Sequence, residues 1–171
     1  MPYRVRAATL DDVDTLVRHR ISMFTDMGVP LDSPALDAAF RAWLADVMPA
    51  GTYRAWIAET GAGEVAAGGG ITVLPWPPGP RYMGTKLAFV YNVYTEPAHR
   101  RRGLARMLMD AIHAWCRDAG VTSVALNASE DGRPLYESLG YQVAPSPMMF
   151  LAIAGYNSPA QGSEKPTYRV R

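Results

Sequence analysis

Apolar residues follow two different periods along the chain, and each change of period marks a predicted helix or strand. Apolar positions recur at helical spacing over residues 13–24, 36–47 and 104–115, which predicts amphipathic helices. Runs rich in β-branched and aromatic residues predict strands at 3–6, 53–59, 64–74, 87–93, 123–127 and 150–153. The pattern therefore predicts an α/β protein built on one sheet.

Capping residues indicate where the helices begin. Thr9 followed by Asp12 predicts a capping box ahead of the first helix. Ser33 and Pro34 predict the cap and the first residue of the second helix. A short additional helix is predicted to begin at 132–134, so about four helices are expected in all.

Two stretches fit neither period. Gly68, Gly69 and Gly70 lie inside the strand predicted at 64–74, and because no helix follows them, they indicate a bulge or close packing rather than a phosphate loop. Residues 75–86 form a proline-rich connection that is too long for a tight turn.

Length and composition indicate one domain. The chain has 171 residues, 49% hydrophobic and 19% charged. No apolar run reaches the roughly 18 residues of a membrane span. Residues 1–154 are predicted to form the domain, and 155–171 a polar tail. The tail ends in Tyr-Arg-Val-Arg, as do residues 3–6, so pairing of the tail with a sheet edge in a homodimer is a hypothesis.

Charge and cysteine content narrow the partners and the setting. The net charge of +1 gives little attraction for nucleic acid, and we expect neither a nucleic-acid nor a membrane partner. The first residues lack the apolar core of a signal peptide, and the single Cys116 excludes an internal disulfide, so a cytoplasmic protein is predicted. His113 and Cys116 have no partner at ligand spacing, so no metal is predicted.

The strand predicted at 87–93 leads through a short loop into the helix predicted at 104–115. Residues 100–105, Arg-Arg-Arg-Gly-Leu-Ala, offer free backbone amides at the helix start, and Gly103 permits unusual dihedrals. Free amides and the helix dipole both attract an anion. A Walker loop and a dinucleotide fingerprint are missing from the sequence, so neither kind of nucleotide site is expected.

Two segments resemble the GNAT superfamily of acyl-CoA-dependent N-acyltransferases. Residues 100–105 match its pyrophosphate loop, R-x-x-G-x-A, in the same strand–loop–helix setting. Residues 127–141, NASEDGRPLYESLGY, are similar to its N-x-x-A-x-x-L-Y-x-x-x-G-F region, with a departure in the middle. The resemblance implies a mixed, mostly antiparallel, twisted sheet of six to seven strands with about four helices and with strands splayed at the acyl-CoA site.

The resemblance also implies a reaction: transfer of an acetyl group from acetyl-CoA to a primary amine of a small molecule or peptide through a ternary complex. Acetyl-CoA is then a cosubstrate, and no metal takes part. Tyr136 matches the general acid that protonates the departing thiolate, and the backbone N–H of Tyr94 is expected to meet the thioester carbonyl. The residues expected to bind acetyl-CoA are Val93, Tyr94, Thr95, Arg100, Arg101, Arg102, Gly103, Leu104, Ala105, Arg106, Asn127, Ser129 and Tyr136.

The acceptor amine is expected to approach from the opposite end of the sheet. That rim is rich in aromatic residues and methionine and poor in acids, which favours an amine on an apolar or aromatic body over a polycation. The residues expected to contact the acceptor are Phe24, Met27, Trp76, Tyr82, Tyr91 and Asn92. For the first four of these, packing on the core is the alternative role.

The sequence indicates one general acid, Tyr136, but several candidates for the general base. Asn92, Tyr94 or Asp26, each acting through water, are candidates. Glu59 and Glu96 are disfavoured, because the order of the strands places both at the pyrophosphate end of the sheet.

Two other classes of function stay open. A non-catalytic acyl-CoA-binding regulatory module would keep the anion loop and lose the transfer, but the presence of Tyr136 argues against it. Nucleic-acid binding through the arginines at 100–102 would show as salt-dependent association that CoA does not displace.

Overall fold

The structure is a computed structural model that describes residues 3–80, 82–145, 148–149 and 151. Its strands and helices, in chain order, are β1 (Tyr3–Ala7), α1 (Val13–Asp26), α2 (Ser33–Val47), β2 (Tyr53–Thr60), β3 (Val65–Pro75), β4 (Lys86–Thr95), α3 (Leu104–Asp118), β5 (Ser123–Leu126) and α4 (Arg133–Ser138). Short 3-10 helices occupy Leu10–Asp12 and Pro97–His99. This is the predicted mixed α/β class.

The sheet has the strand order β1-β2-β3-β4-β5. Its first four strands pair antiparallel, and β5 lies parallel to β4 because α3 carries the chain across one face. The described residues thus form five strands, and the prediction of six to seven is wrong. Of the strand predicted at 150–153, only Leu151 is described, and it has no strand conformation.

Two apolar cores lie on opposite faces of the sheet. Successive residues of β2 point to different cores, so that Ile57 packs with α1 and α2 whereas Trp56 packs with α3. The inward side of α3 contains Leu104, Leu108 and Ile112, all buried. The helical spacing of these residues had predicted this face.

Side-chain caps hold the start of the 3-10 helix Leu10–Asp12, which leads into α1, and the start of α2. Thr9 and Asp12 form the predicted capping box, in which the Asp12 carboxylate accepts from the Thr9 amide at 2.8 Å. At α2 the cap is Asp32 rather than the predicted Ser33, since the Asp32 carboxylate accepts from the Ala35 amide at 3.0 Å.

The glycine run in β3 is explained by close packing, as predicted. A β-carbon on Gly68 would lie 2.8 Å from Nδ1 of His19, and one on Gly70 would overlap the Tyr53 hydroxyl. Glycine therefore lets α1 and the Tyr53 ring lie directly against the sheet backbone.

Among the described residues, no helix is long and apolar enough to cross a membrane. The polar tail predicted at 155–171 lies outside the described residues, so its structure and the homodimer hypothesis stay predictions. β1 is an edge strand of the sheet, as that hypothesis requires.

Candidate active site

A gap opens between β4 and β5 at their carboxyl ends. The last paired residues are Val90 and Leu126, yet β4 continues to Thr95. On the other side of the gap, Asn127 follows β5 directly and leaves the ladder. The strand edge at 91–95 is therefore not covered by β5, and an extended ligand can pair with it as an added strand would.

A bulge in β4 lies at the mouth of this gap. Gly70 pairs with Tyr91 and Gly68 pairs with Tyr94, so two steps along β3 face three along β4. Asn92 takes up the extra residue with φ of 56°, a left-handed conformation that asparagine tolerates better than most residues.

The bulge changes which way the side chains point. Tyr91 packs against the core formed with α1 and α2, and Asn92 also points to this side, where it contacts Arg20 and Tyr53. Val93 then returns to the core formed with α3. Two successive side chains, Tyr91 and Asn92, thus face the same side, which strict alternation along a strand would forbid.

The loop before α3 has the predicted geometry of an anion site. Arg101 has φ of 60° and Gly103, the N-cap of α3, has φ of 80°. The first backbone bond of the helix is donated by Met107 to the Gly103 carbonyl at 3.1 Å. Within the described part of the chain, no backbone carbonyl accepts from the amides of 101–106, so they are available to a ligand at the positive end of the helix dipole.

The arginines of this loop have different partners. Arg100 donates to the Thr95 carbonyl at 3.1 Å, forms an ion pair with Asp26, and lies over the Tyr94 ring. Its guanidinium therefore ties the end of α1 to β4 instead of pointing freely into the loop.

The longer side chains of residues 102–106 either hydrogen-bond to neighbouring segments or pack in the core. Arg102 donates to the Tyr3 hydroxyl at 3.0 Å, and Arg106 donates to the Ser138 hydroxyl at 2.5 Å. The Leu104 side chain is buried in the core, so this residue can offer a ligand only its backbone amide. Ala105 adds no bulk beside that amide.

Tyr136 lies on α4 at the far side of the gap. Its ring is half-buried and meets the Tyr141 ring edge-on at 5.8 Å. Burial raises the pKa of Tyr136, which keeps the phenol protonated at neutral pH. Ser129, expected to touch the ligand, accepts from the Gly132 amide at 3.2 Å and so supports the turn into α4.

Sequence reasoning missed a buried histidine beneath Tyr94. His19 on α1 is 1% exposed, lies 5.2 Å from the Tyr94 ring, and has Nε2 3.0 Å from a Glu96 carboxylate oxygen. Burial lowers the pKa of His19, despite the opposing attraction of Glu96, so the ring is neutral and Nε2–H donates. A lone histidine on a helix gives no sequence signal for such a contact.

This pKa shift predicts a pH-dependent stability. Because the His19 pKa is lower in the folded protein than its ordinary value of 6.5, the unfolded chain binds the proton first as the pH falls. The free energy of unfolding should therefore fall from about pH 6.5 downward, by up to about 1.4 kcal/mol per pH unit from this group. Urea unfolding at several pH values measures it. The His19→Gln variant should show a shallower slope, and an unchanged slope would contradict the assignment.

A pocket of about 330 Å³ lies on the α1–α2 side of the bulge. Two of the predicted acceptor residues, Tyr91 and Asn92, line it. The lining residues that sequence reasoning did not assign to the acceptor are Arg20, Leu36, Ala39, Phe40 and Trp43. The spacing of the apolar residues on α2 predicted a core face, and only the packed structure shows that part of this face borders a pocket.

The other predicted acceptor residues do not line this pocket. Phe24 stacks on the Arg20 guanidinium, which does line the pocket, at 5.1 Å. Met27 is the half-exposed C-cap residue of α1. Trp76 and Tyr82 hydrogen-bond to each other in the proline-rich connection.

Three acidic side chains considered as a general base are engaged by cations. Glu59 bonds to Arg4 and Arg6, and Glu96 bonds to Arg18 and His19. Asp26 is held by Arg100, as described above. Among the described residues, no group of three or more His, Cys, Asp or Glu is placed to hold a metal ion.

Comparison with known proteins gives the family. The family model described as "Acetyltransferase (GNAT) family" matches residues 16–141. A mouse protein, probable N-acetyltransferase family 8 member 5, is 31% identical over 90 residues, which cover 51% of this chain and 37% of the mouse protein. The chain thus matches less than half the length of that curated relative.

Solved structures extend the likeness to nearly the whole chain. A GCN5-related N-acetyltransferase from Ralstonia eutropha JMP134 is 34% identical with a TM-score of 0.78, covering 90% of this chain and 100% of that one. A predicted acetyltransferase from Clostridium acetobutylicum, solved with acetyl-CoA, has a TM-score of 0.79 at 24% identity, covering 88% and 96%. The chain belongs to the GNAT acetyltransferase family.

Proposed function

We propose that this protein is an N-acetyltransferase that transfers the acetyl group of acetyl-CoA directly to a primary amine in a ternary complex. One observation carries the proposal: the unbonded amides of 101–106, the open edge of β4 and the pocket beside Asn92 follow one another along a single strand–loop–helix unit. A donor anion, a thioester and an acceptor can therefore lie in one line.

The donor end rests on the anion loop. The pyrophosphate of acetyl-CoA would accept from the amides around Gly103, and the arginine side chains beside them add positive charge. The pantetheine arm would run along the edge of Val93, Tyr94 and Thr95, with Asn127 across the gap.

The chemistry is a direct aminolysis. The amine nitrogen attacks the thioester carbon. The Glu96 amide donates to Ala66 of β3, so the Tyr94 amide, two residues earlier in the same register, also points to β3, and the developing oxyanion would accept instead from the Val93 N–H on the open edge. When the carbon–sulfur bond breaks, the Tyr136 hydroxyl donates its proton to the sulfur. The attacking nitrogen loses one proton to water, an equivalent proton from water restores the Tyr136 hydroxyl, and the products are the acetamide and free CoA.

The proton from the amine would leave through water. Glu59, Glu96 and Asp26 are each held by cationic side chains, so none of the three offers a free carboxylate. A water path beside Asn92 or the Tyr94 backbone fits the structure better, because it needs no unpaired carboxylate.

The pocket favours an acceptor with an apolar body. Phe40, Trp43 and Leu36 form much of its wall, and none of the lining residues is acidic. A polycation would find no counter-charge there, whereas a single amine on an aromatic or aliphatic group would be well packed.

A thiol-release screen tests the proposed function. Acetyl-CoA is incubated with amines of several classes, and free CoA is measured with a thiol reagent alongside mass spectrometry of the acetylated product. Release above background hydrolysis, with a matching acetamide, is the expected result. Tight acetyl-CoA binding without release for any amine class would instead indicate a non-catalytic acyl-CoA-binding module.

A further inference from the structure

The pocket beside the bulge contains a guanidinium group clamped in a fixed position. Arg20 projects from α1, and its guanidinium lies 5.1 Å from the Phe24 ring centroid and 4.8 Å from that of Phe40. Nη1 donates to Oδ1 of Asn92 at 2.6 Å. Aromatic rings and an amide therefore hold the side chain where it forms part of the pocket wall.

This guanidinium lacks a counter-ion within the part of the chain that the structure describes. None of the described Asp or Glu side chains forms an ion pair with Arg20, whereas Arg6, Arg18 and Arg100 each have at least one. Nε of Arg20 is buried without an acceptor. Burial lowers the pKa of Arg20, since its charge has lost water without gaining an anion.

A half-buried arginine whose Nε is buried without an acceptor is costly for folding, which points to a ligand that completes it. An arginine presents five N–H donors in a planar fork, and the fork matches the two oxygens of a carboxylate. One carboxylate would neutralise the one positive charge of the pocket. A phosphate dianion would bring about twice that charge, which makes it the poorer match.

We propose that Arg20 binds the carboxylate of the acceptor, so that the acceptor is an amino acid with an aliphatic or aromatic side chain. This inference rests on the proposed function for the position of the amine. Asn92 precedes Tyr94 by two residues, a rise of roughly 7 Å along a strand. A carboxylate on Arg20 would thus leave an amine a few bonds away near the thioester.

The size of the pocket agrees with such an acceptor. Its volume of about 330 Å³ is at the lower end of ligand pockets, which suits a single amino acid better than a larger body. The Phe40 and Trp43 rings, 5.6 Å apart and nearly parallel, give the side chain an aromatic wall.

The test compares acids with their amides. Acetyl-CoA-dependent thiol release is measured for the proteinogenic amino acids, for their carboxamides, and for phosphoethanolamine as a phosphate-bearing amine. We expect kcat/KM for the best hydrophobic amino acid to exceed that of its carboxamide by about 10- to 100-fold, the effect of losing charge-assisted hydrogen bonds. Equal rates for acid and amide, or a preference for the phosphate-bearing amine, would overturn the inference.

Variants of Arg20 test whether this residue causes the preference for acids over amides. Arg20→Met should reduce the acid-to-amide ratio to near one while the Kd for acetyl-CoA stays unchanged. Arg54→Met is the matched control, because Arg54 also stacks on an aromatic ring, Trp115 at 4.9 Å, but does not line the pocket. If Arg20→Met fails to fold, Arg20→Lys should still lower the ratio, because it keeps the charge and loses the fork. An acid-to-amide ratio equal to that of the wild type, in whichever Arg20 variant folds, would overturn the assignment.

A binding measurement separates this inference from the proposed function. If no amine is acetylated, calorimetry with the same amino acids in the presence of CoA still measures whether they bind in the pocket. Binding by the wild type and its loss in Arg20→Met would support the carboxylate site although the transferase proposal had failed. No binding by the wild type would overturn the carboxylate site as well.

Discussion

The Gly103→Asp variant is expected to lose more than about 100-fold in affinity for acetyl-CoA. Gly103 is the N-cap of α3, with φ of 80°, and the amides of 101–106 around it have no backbone acceptor among the described residues. An aspartate there would place its own carboxylate among these amides and repel the pyrophosphate. Calorimetric titration with acetyl-CoA measures the loss.

A matched variant separates charge from backbone strain. Gly103→Asn has nearly the same size, tolerates the left-handed conformation comparably, and carries no charge. It should retain affinity within about 10-fold, since one 1–2 kcal/mol conformational cost corresponds to a change of that order. If the two variants bound acetyl-CoA equally well, the anion would not be held at this loop.

The Tyr136→Phe variant is expected to lower kcat by about 100-fold, the usual contribution of a general acid. Its effect on the Kd for acetyl-CoA should be small, because the ring keeps its packing against Tyr141 and only the hydroxyl is removed. Steady-state kinetics with the best acceptor from the thiol-release screen, together with calorimetry, separate the two quantities.

Tyr141→Phe serves as the control for loss of a nearby hydroxyl. The Tyr141 hydroxyl lies 2.8 Å from Nε2 of His113, away from the β4–β5 gap, so its removal should leave kcat almost unchanged. Full turnover in Tyr136→Phe would remove this residue from the mechanism. Equal losses in both variants would show a packing effect instead of proton donation.

The strand–loop–helix segment that we propose binds the donor could be predicted from the sequence because its signals are local. The apolar spacing along α3, the arginine run and Gly103 all lie within one strand–loop–helix segment, and the structure places them together. A capping box such as that of Thr9 and Asp12 is local in the same way. Short-range patterns of this kind are largely decided by backbone geometry.

The acceptor side could not be predicted in the same detail because it depends on contacts between distant segments. Arg20 follows a buried histidine on an amphipathic helix and would be read as a solvated position, yet it meets Asn92 from 72 residues away. Phe40 and Trp43 belong to an apolar stripe that the sequence assigns to the core. Whether such a stripe borders a pocket depends on how two helices and a strand pack.

The glycine run predicted a bulge or close packing in β3, but the inserted residue is Asn92 on the paired strand β4, because alternation along an apolar strand does not reveal which strand carries the extra residue. Its left-handed φ and the shifted pairing with β3 appear only in the three-dimensional structure. The strand predicted at 150–153 lies outside the described residues except for Leu151, and the described part of the chain has five strands where six to seven were predicted.

The extra residue in β4 separates the part of the strand that borders the pocket from the part with the open edge at 93–95, so that each part can change in sequence without the other. Deleting Asn92 would restore continuous alternation and leave Val93 and the later side chains on their present faces, but it would straighten β4 where the gap opens and remove the amide that contacts Arg20. Substituting Tyr91 or a neighbouring α2 residue, by contrast, would alter the acceptor wall and leave the nucleotide contacts in place. New specificities can therefore arise on one side of a single peptide unit while the donor half stays as inherited.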